Sequence, residues 1–284
     1  MIELAGIADL RRWVGAERAA GRRVALVPTM GYLHAGHLAL VDEARRRADT
    51  VVMSVFVNPL QFGPNEDLAR YPRDLPRDRR LAEGRGVDAL FVPSEAAIYP
   101  AGSEIRIVPG PTADRWEGAA RPGHFTGVLT VVAKLFHLVE PDLAAFGRKD
   151  VQQATLIRQM VHDLDWPLTV VIVPTVREPD GLALSSRNAY LTPEERRRAV
   201  VLSASLRAAH EAFKAGARRA AEVAAAIHGV LETEPALTVE YVAVAEPVRL
   251  APVETVDADT VVALAARLGS TRLIDNIVLG TGLE

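Results

Sequence analysis

The stretch VALVPTMGYLHAGHLALVDEA, residues 24–44, decides the fold of this chain. Its first four residues, Val24–Val27, form a short apolar run closed by Pro28, which is the pattern of a strand buried on both faces of a parallel sheet. A helix is predicted to follow. Two glycines in the connecting turn, Gly31 and Gly36, let the backbone approach a ligand closely.

The same turn has the composition of an anion site. His34 and His37 stand three residues apart, one turn of helix, so both imidazoles can donate hydrogen bonds to one ligand. Free N–H groups and the positive end of the helix dipole also attract an anion here. We therefore favour phosphate chemistry at the turn. Two alternatives stay open: a zinc site, for which the sequence offers no third ligand in a suitable context, and a surface or packed pair of histidines.

Composition narrows the function classes. The 284 residues carry a formal net charge of -3 and 24% charged residues, so the chain has no basic bias for nucleic acid. Cysteine is absent, which excludes thiol catalysis, disulfides and thiolate metal sites and favours a reducing cytosol. Residues 1–13 lack the apolar core of a signal peptide, and no apolar run reaches membrane-spanning length. We expect a cytoplasmic protein with neither a nucleic-acid nor a membrane partner.

Alternating strand and helix patterns continue to residue 173. Strands are predicted at Val24–Val27, Thr50–Asn58, Asp88–Pro93, Glu104–Val108, Leu143–Gly147 and Leu168–Val173, and helices at Ile7–Ala20, His37–Ala48, Phe125–Val139 and from Asp150 to about Leu164. Residues 59–80 are predicted to form a long loop with about one helical turn, its arginines on a solvated face. Because parallel strands need helical crossovers, the alternation predicts a Rossmann-like doubly wound parallel sheet, an α/β domain over residues 1–175.

The pattern changes after Thr175. Long alanine-rich helices are predicted at Pro193–Ala215 and Ala217–Glu232, followed by strands at Leu237–Ala245, Thr260–Arg267 and Thr271–Leu279. Helices followed by neighbouring strands predict a smaller C-terminal α+β domain over residues 176–284.

Further polar segments stand at strand ends, where parallel sheets bind their ligands. Gln61 follows the second strand of the opening unit, and Gly147–Asp150 forms another strand-to-helix junction. The positive end of the helix dipole disfavours a cation such as Lys149 at a helix start, unless an anion lies between the ammonium group and the helix. The alternative is that Lys149 and Asp150 are ordinary exposed charges in the first turn. Gln152 and Gln153 lie on the same helix start, where one amide can serve a polar substrate.

Five separate segments converge on one family. The segments PTMGYLHAGH, SVFVNPLQFGPNEDLARYPRD, RPGHFTGV, GRKDVQQ and VREPDGLALSSRN resemble, in order and spacing, the motifs of the pantothenate synthetases (pantoate–β-alanine ligases), which belong to the HxGH nucleotidylyltransferase superfamily. The likeness covers about residues 28–191. It implies that ATP and (R)-pantoate give pantoyl adenylate and pyrophosphate, and that β-alanine then displaces AMP to form pantothenate. It also implies Mg²⁺ and a homodimer.

The resemblance assigns two nucleotide segments and a loop. It implies that ATP binds to Met30, Gly31, Tyr32, Leu33, His34, Ala35, Gly36 and His37, and to Gly147, Arg148, Lys149 and Asp150, with backbone contact to adenine from Val176. His34, His37 and Lys149 would contact phosphate, and Asp150 would lie near ribose, phosphate or Mg²⁺. The mobile loop Leu184, Ser185, Ser186 and Arg187 would close over the triphosphate, with the second domain as a lid.

The resemblance also assigns the pantoate site. Gln61 and Gln153 match the glutamines that hold pantoate, Asn58 stands at the matching strand end, and Pro28 and Met30 would supply apolar surface for the gem-dimethyl group. The catalytic set is then His34, His37, Lys149, Ser185, Ser186 and Arg187.

Three residues depart from the family pattern. The family commonly has Glu at the position of Arg148, Met at the position of Leu184 and an aromatic residue at the position of Val151.

Two other functions stay open. One alternative is a nucleotidyltransferase of the same superfamily acting on another, phosphorylated acceptor. It would need cations where Gln61 and Gln153 provide neutral amides. The other is a nucleotide-sensing module without turnover.

Overall fold

The computed structural model describes residues 1–283, and Glu284, the last residue of the predicted second domain, lies outside them. The chain divides into two compact units. The first comprises Met1–Gly147 with Leu156–Val173, and the second comprises Arg148–Thr155 with Pro174–Glu284. Each unit has its own sheet and its own hydrophobic core.

A six-stranded parallel sheet organises the first unit. Its strands are β1 (Ile2–Leu4), β2 (Val24–Thr29), β3 (Thr50–Val55), β4 (Ala89–Phe91), β5 (Leu143–Gly147) and β6 (Thr169–Val173). They lie in the order β1-β4-β3-β2-β5-β6, and every neighbouring pair is parallel. The strand order reverses between β2 and β5, which is where doubly wound sheets bind ligands beyond their carboxyl ends. The predicted fold class is confirmed, and the opening stretch stands at the switch point.

Helices cover both faces of this sheet. They are α1 (Ile7–Ala19), α2 (Ala35–Arg47), α3 (Leu75–Gly84), α4 (Glu95–Ile98), α5 (Glu117–Ala120), α6 (His124–Val139) and α7 (Val151–Asp163), the first residues of α7 belonging to the second unit. Adjacent side chains of β2 point to opposite faces. Leu26 packs in the cluster that α1 and α6 share, and Val27 packs in the cluster that contains residues of α2 and α3. An unbroken apolar run is therefore required at β2, as the sequence indicated.

Three predictions for individual elements are wrong. Glu104–Val108 forms no strand, and the short segment Ile2–Leu4 pairs with the outer side of β4 instead. The charged stretch before Arg80 contains most of a regular helix, α3, which begins at its N-cap Asp74. The helix predicted at Pro193–Ala215 is interrupted around Ala199 and Val200.

The second unit is built on an antiparallel sheet. Its helices are α8 (Pro193–Arg198), α9 (Val201–Lys214) and α10 (Ala220–Leu231), and its strands are β7 (Leu237–Ala245), β8 (Val261–Leu268) and β9 (Thr271–Val278). The strands lie in the order β7-β8-β9, and α9 and α10 contribute apolar residues to one core with them. Along residues 1–283, no helix combines the length and the apolar character that a bilayer crossing needs.

Gly127 marks the closest approach of two backbones in the first unit. A Cβ atom on this α6 residue would lie 2.2 Å from the carbonyl oxygen of Leu60 and 2.6 Å from the nitrogen of Gln61. Real Cβ atoms do not approach backbone that closely. Helix α6 therefore holds the turn at Pro59–Gln61 directly, without an intervening side chain.

We predict opposite effects for the same substitution at two helical glycines. Gly127→Ala should lower the free energy of unfolding by about 1–3 kcal/mol, because the added methyl group overpacks the contact with Leu60. Gly15→Ala in α1, where a Cβ meets nothing within 4 Å, should be neutral or stabilise by up to about 1 kcal/mol. Urea unfolding measures both. A Gly127→Ala variant as stable as wild type would show that the two backbones are not in contact.

Candidate active site

The candidate residues divide between the two compact units. The first unit carries Pro28, the turn Met30–His37, Asn58, Gln61 and Gly147, and the second carries Arg148, Lys149, Asp150, Gln153, Val176, Leu184, Ser185, Ser186 and Arg187. Within each unit, the structure shows which side chains are held in place and by what.

A buried carboxylate holds the turn after β2. Asp78, 1% exposed, accepts the Tyr32 N–H at Oδ2 and the Leu33 N–H at Oδ1, each at 2.7 Å. Gly31 and Tyr32 have φ values of 82° and 50°, and a Cβ on Gly31 would lie 2.9 Å from Cγ1 of Val55. Only glycine fits there without strain. Burial raises the pKa of Asp78, and the two backbone hydrogen bonds oppose that rise.

Hydrogen bonds from the backbone set the orientation of both histidines at the start of α2. The Gly36 N–H donates to Nδ1 of His34 at 3.1 Å, and the His34 N–H donates to Nδ1 of His37 at 3.3 Å. The two ring centroids lie 4.0 Å apart. A neutral imidazole that accepts at Nδ1 carries its proton on Nε2. The turn therefore presents two Nε2–H donors, which suits the oxygens of a phosphate chain.

Gly36 is required by this arrangement. A Cβ at residue 36 would lie 2.9 Å from both Nδ1 and Cε1 of His34. The ring of His34 thus lies against the glycine backbone whose N–H it accepts. This contact explains the glycine between the two histidines of the motif.

Asn58 is fully committed to protein groups. Its side chain is buried, with 1% exposure, and Nδ2 donates to Oε1 of Gln61 at 3.0 Å and to the Gly127 carbonyl at 3.1 Å. Its Oδ1 accepts the Tyr99 hydroxyl at 2.9 Å and the Leu60 N–H at 3.3 Å. Burial raises the pKa of Tyr99 to about 12, so this phenol remains a donor. Asn58 therefore orients Gln61.

Gln61 is oriented as a hydrogen-bond donor. Because its Oε1 accepts from Asn58, its Nε2 is directed the other way and lies 3.2 Å from the sulfur of Met30. Thioether sulfur is a weak acceptor. The structure thus brings together Met30, Asn58 and Gln61, three of the residues expected at pantoate.

His124 and Arg121 hold the backbone carbonyl of Gln61. The Gln61 carbonyl accepts from His124 Nδ1 at 2.8 Å and from Arg121 Nη2 at 3.2 Å, while Arg121 Nη1 lies 3.1 Å from His124 Nε2. Arginine only donates, so Nε2 of His124 accepts and the ring is neutral. Burial and the neighbouring Arg121 charge lower the pKa of His124 to about 4.

The predicted nucleotide segment of the second unit is anchored through its carbonyl groups. Residues Arg148–Asp150 form a 3-10 turn before α7, and Nδ2 of Asn276 donates to the carbonyls of Arg148 at 3.0 Å and Lys149 at 2.8 Å. Of the two neighbouring glutamines, Gln152 is 2% exposed and Gln153 is the more accessible.

The predicted adenine contact and the predicted mobile loop are adjacent in the second unit. The Leu184 N–H donates to the Val176 carbonyl at 3.0 Å, which closes a hairpin-like turn between them. Ser185 caps the 3-10 helix Ser186–Tyr190 by accepting the Arg187 N–H at 3.3 Å, and Ser186 is buried.

The sequence did not reveal Asp78 or Asn276 as supports of the site. Asp78 lies within the arginine-rich run for which the sequence predicts a solvated face. The sequence offers one signal for Asp78. It is an acidic residue four positions after Asp74, which can cap a helix, so it would lie in the first turns of that helix. Asn276 lies 127 residues from Lys149, and nothing in its local sequence marks the contact.

The His124 pKa predicts a pH dependence of stability. A folded pKa of about 4 lies below the unfolded value of 6.5, so the contribution of the neutral ring is complete above the unfolded pKa and is lost as pH falls toward the folded one. We expect wild type to lose about 2 kcal/mol of unfolding free energy through this group between about pH 7.5 and about pH 5.

His124→Gln should show a correspondingly smaller pH slope in urea unfolding. His137→Gln, which changes an exposed histidine on the same helix, should keep the wild-type slope. Equal slopes for His124→Gln and wild type would contradict the buried neutral ring.

Comparison with known proteins bears out the resemblance. The family model for pantoate-beta-alanine ligase matches residues 3–278. A pantothenate synthetase of Moorella thermoacetica is 52% identical over 273 residues, which cover 96% of each chain. The crystal structure of pantothenate synthetase from Thermus thermophilus is 50% identical, covers 98% of this chain and 99% of that one, and has a TM-score of 0.94.

A more distant relative carries ligands. The pantoate-beta-alanine ligase of Francisella tularensis, complexed with beta-gamma ATP and beta-alanine, is 35% identical, covers 100% of both chains and has a TM-score of 0.83. Because the family model spans residues 3–278 and these relatives match over nearly the whole of both chains, the chain belongs to the pantoate–β-alanine ligase family.

Proposed function

We propose that the chain, an ATP-dependent pantoate–β-alanine ligase, works through a pantoyl adenylate. A carboxylate oxygen of pantoate attacks the α-phosphorus of ATP and pyrophosphate leaves. The amine of β-alanine then attacks the acyl carbon, which releases AMP, a proton and pantothenate. The observation that carries this proposal is the pair of imidazoles at the end of β2, both set to donate from Nε2. We also propose a cytoplasmic location, because the reaction consumes ATP and the sequence lacks cysteine.

The adenylation step needs donors more than it needs a base. The pantoate carboxylate and the triphosphate are both anions and repel each other. The negative charge on the pentacoordinate phosphorus and on the departing pyrophosphate must therefore be stabilised. His34 and His37 are suited to this because their donors are fixed before the substrate arrives. We assign His37 as a charge-stabilising donor, with no covalent intermediate on the enzyme.

Neutral amides are proposed to hold pantoate. The fixed Nε2 of Gln61 donates to an oxygen of the hydroxy acid, and Gln153 supplies a second amide. Pro28 and Met30 offer apolar surface for the gem-dimethyl group. An acceptor that carries a phosphate group would instead require cations at the two glutamines.

The second unit contributes the remaining nucleotide contacts in this proposal. Lys149 binds a phosphate and the backbone of Val176 contacts adenine. Ser185, Ser186 and Arg187 close on the triphosphate, with Leu184 occupying the position of the family's usual methionine at nearly the same volume. Arg148 reverses the charge of the usual glutamate, so we expect a phosphate contact there in place of any contact that a carboxylate would make.

Mg²⁺ is proposed to reach the site with the nucleotide. Within residues 1–283 no group of three or more His, Cys, Asp or Glu side chains is placed to hold a metal ion. Magnesium commonly binds through one or two carboxylates together with substrate phosphates, and the Asp150 carboxylate fits that role. The ion would supply positive charge to the phosphate chain.

A homodimer is proposed from the surface of the first unit. Ile105 and Val108 are 86% and 76% exposed in a segment without regular secondary structure, whereas Ile107 between them packs on the core. Large apolar side chains that cluster at such exposure mark interaction sites. We propose that a second copy covers them.

Isotope exchange between pyrophosphate and ATP tests the adenylate. Wild type should exchange label only when pantoate is present, and the exchange should not need β-alanine. It should release AMP steadily only after the amine is added. Exchange that ignores pantoate, or exchange that appears only when β-alanine is also present, would overturn the proposed intermediate.

Two substitutions at His37 sharpen the residue assignment. Asn places a polar atom near the position of Nδ1, so His37→Asn should keep the bond from the His34 N–H and lose the Nε2 donor. Gln reaches the position of Nε2, so His37→Gln should keep part of the donor function. We expect pantoate-dependent exchange to fall about 100- to 1000-fold in His37→Asn and clearly less in His37→Gln. Equal exchange in both variants would rule out donation from Nε2.

Sedimentation of charged variants tests the dimer. Wild type should sediment as a dimer, and the double substitution Ile105→Asp with Val108→Asp should give a folded monomer, because two carboxylates cannot be buried without partners. Val248→Asp is the control, since Val248 is also 66% exposed but lies in the second unit. A doubly substituted chain that remains dimeric would contradict the assigned interface.

A further inference from the structure

Strand β9 carries two adjacent buried polar side chains that the reaction does not use directly. Asp275 and Asn276 are 2% and 3% exposed. A polar group buried to that extent destabilises the fold unless it is hydrogen-bonded. The partners of the two side chains therefore show what they are for.

Asp275 holds the segment that leads to the predicted mobile loop. Its carboxylate receives a bidentate pair from Arg177, Nη1 to Oδ2 at 2.7 Å and Nη2 to Oδ1 at 2.9 Å. The same guanidinium donates to the carbonyls of Gly181 at 3.0 Å and Asn276 at 3.3 Å. Such a pair, with its remaining donors used, fixes residues 177–181 to the strand.

Asn276 holds the other nucleotide segment. Its Nδ2 atom uses both hydrogens, one on the Arg148 carbonyl and one on the Lys149 carbonyl, at 3.0 and 2.8 Å. Because carbonyl oxygens only accept, the direction of the amide is unambiguous. Two bonds from one planar group fix the peptide units on both sides of Lys149, the one that joins residues 148 and 149 and the one that joins residues 149 and 150.

The unused half of this amide is informative. Oδ1 of Asn276 is buried and has no hydrogen-bond partner within residues 1–283. Native structures rarely leave a buried acceptor unsatisfied, and each such case needs a reason. The hydrogen bonds of the Asn276 amide within these residues are therefore those of its two donors, to the carbonyls of Arg148 and Lys149.

We propose that Asn276 is a positioning residue, which fixes the backbone of Lys149 and thereby the direction from which its ammonium group meets the phosphates of ATP. This inference rests on the phosphate contact proposed for Lys149. The lysine side chain is long and flexible, so ordering it against a phosphate costs conformational entropy. A fixed Cα position reduces that cost, because fewer backbone positions have to be given up when the contact forms. The C-terminal strand thus takes part in adenylation without touching the substrate.

A double-mutant cycle on pantoate-dependent exchange tests the inference in the full-length protein. The variants are Asn276→Leu, which has similar volume and no donor, Lys149→Ala, and the two combined. We expect Asn276→Leu to lower kcat of exchange by about tenfold or more, with KM for pantoate within about twofold of wild type. If Asn276 acts through Lys149, adding Asn276→Leu to Lys149→Ala should change the rate by less than about twofold.

The matched control is Thr271→Val, which also removes a buried polar group from β9. It should leave exchange within about twofold of wild type, and its small effect should be the same with or without Lys149. If Asn276→Leu does not fold, Asn276→Ser, too short to reach both carbonyls, takes its place in the cycle. Thermal unfolding of each variant measures the structural cost separately.

Two results would overturn the inference. One is wild-type exchange in the folded Asn276 variant. The other is an effect of Asn276→Leu that is as large in the Lys149→Ala background as in wild type. Normal exchange in Lys149→Ala would instead refute the phosphate contact in the proposed function, so the two failures are distinguishable.

Discussion

The two hydrogen bonds from Tyr32 and Leu33 to the Asp78 carboxylate are the constraint on which the first unit's site depends. The turn after β2 passes through two consecutive residues with positive φ, a conformation that most sequences avoid. A buried carboxylate that accepts from both backbone groups stabilises this conformation. Helix α2 can then begin directly after its N-cap, His34, so the backbone that carries both histidine rings is fixed.

A shared design appears in both units: residues proposed to touch substrate are held by neighbouring side chains. Asn58, His124 and Arg121 all bond to Gln61, through its side chain or its carbonyl group. Asn276 does the same for the turn that carries Lys149. If these groups bind substrate as proposed, the Gln61 amide and the Lys149 backbone have little freedom to lose on binding, which favours both affinity and rate.

The parts of the fold that sequence predicted are those with strong local patterns. Strand β2 is a continuous apolar run, so the fold class could be inferred from it. The glycines and histidines of the following turn support a prediction of phosphate chemistry. Glu104–Val108 alternates like a strand, but the outer side of β4 is taken by β1, whose three residues are too few to show a period. Helix α3 is rich in arginine and so resembled a loop. The supports of the site were missed because their partners are distant in sequence, 46 residues in the case of Asp78 and Tyr32.

The saturated amide of Asn58 has a consequence for selectivity. With Oε1 of Gln61 already engaged, the glutamine cannot rotate by half a turn, because its NH₂ group would then face the NH₂ group of Asn58. An ordinary glutamine tolerates either an acceptor or a donor across from it. In the proposed complex with pantoate, this glutamine admits acceptors alone. An analogue with an ammonium group at that point would meet the hydrogens of an NH₂ group where a lone pair is needed, so the site would discriminate by polarity between molecules of the same shape.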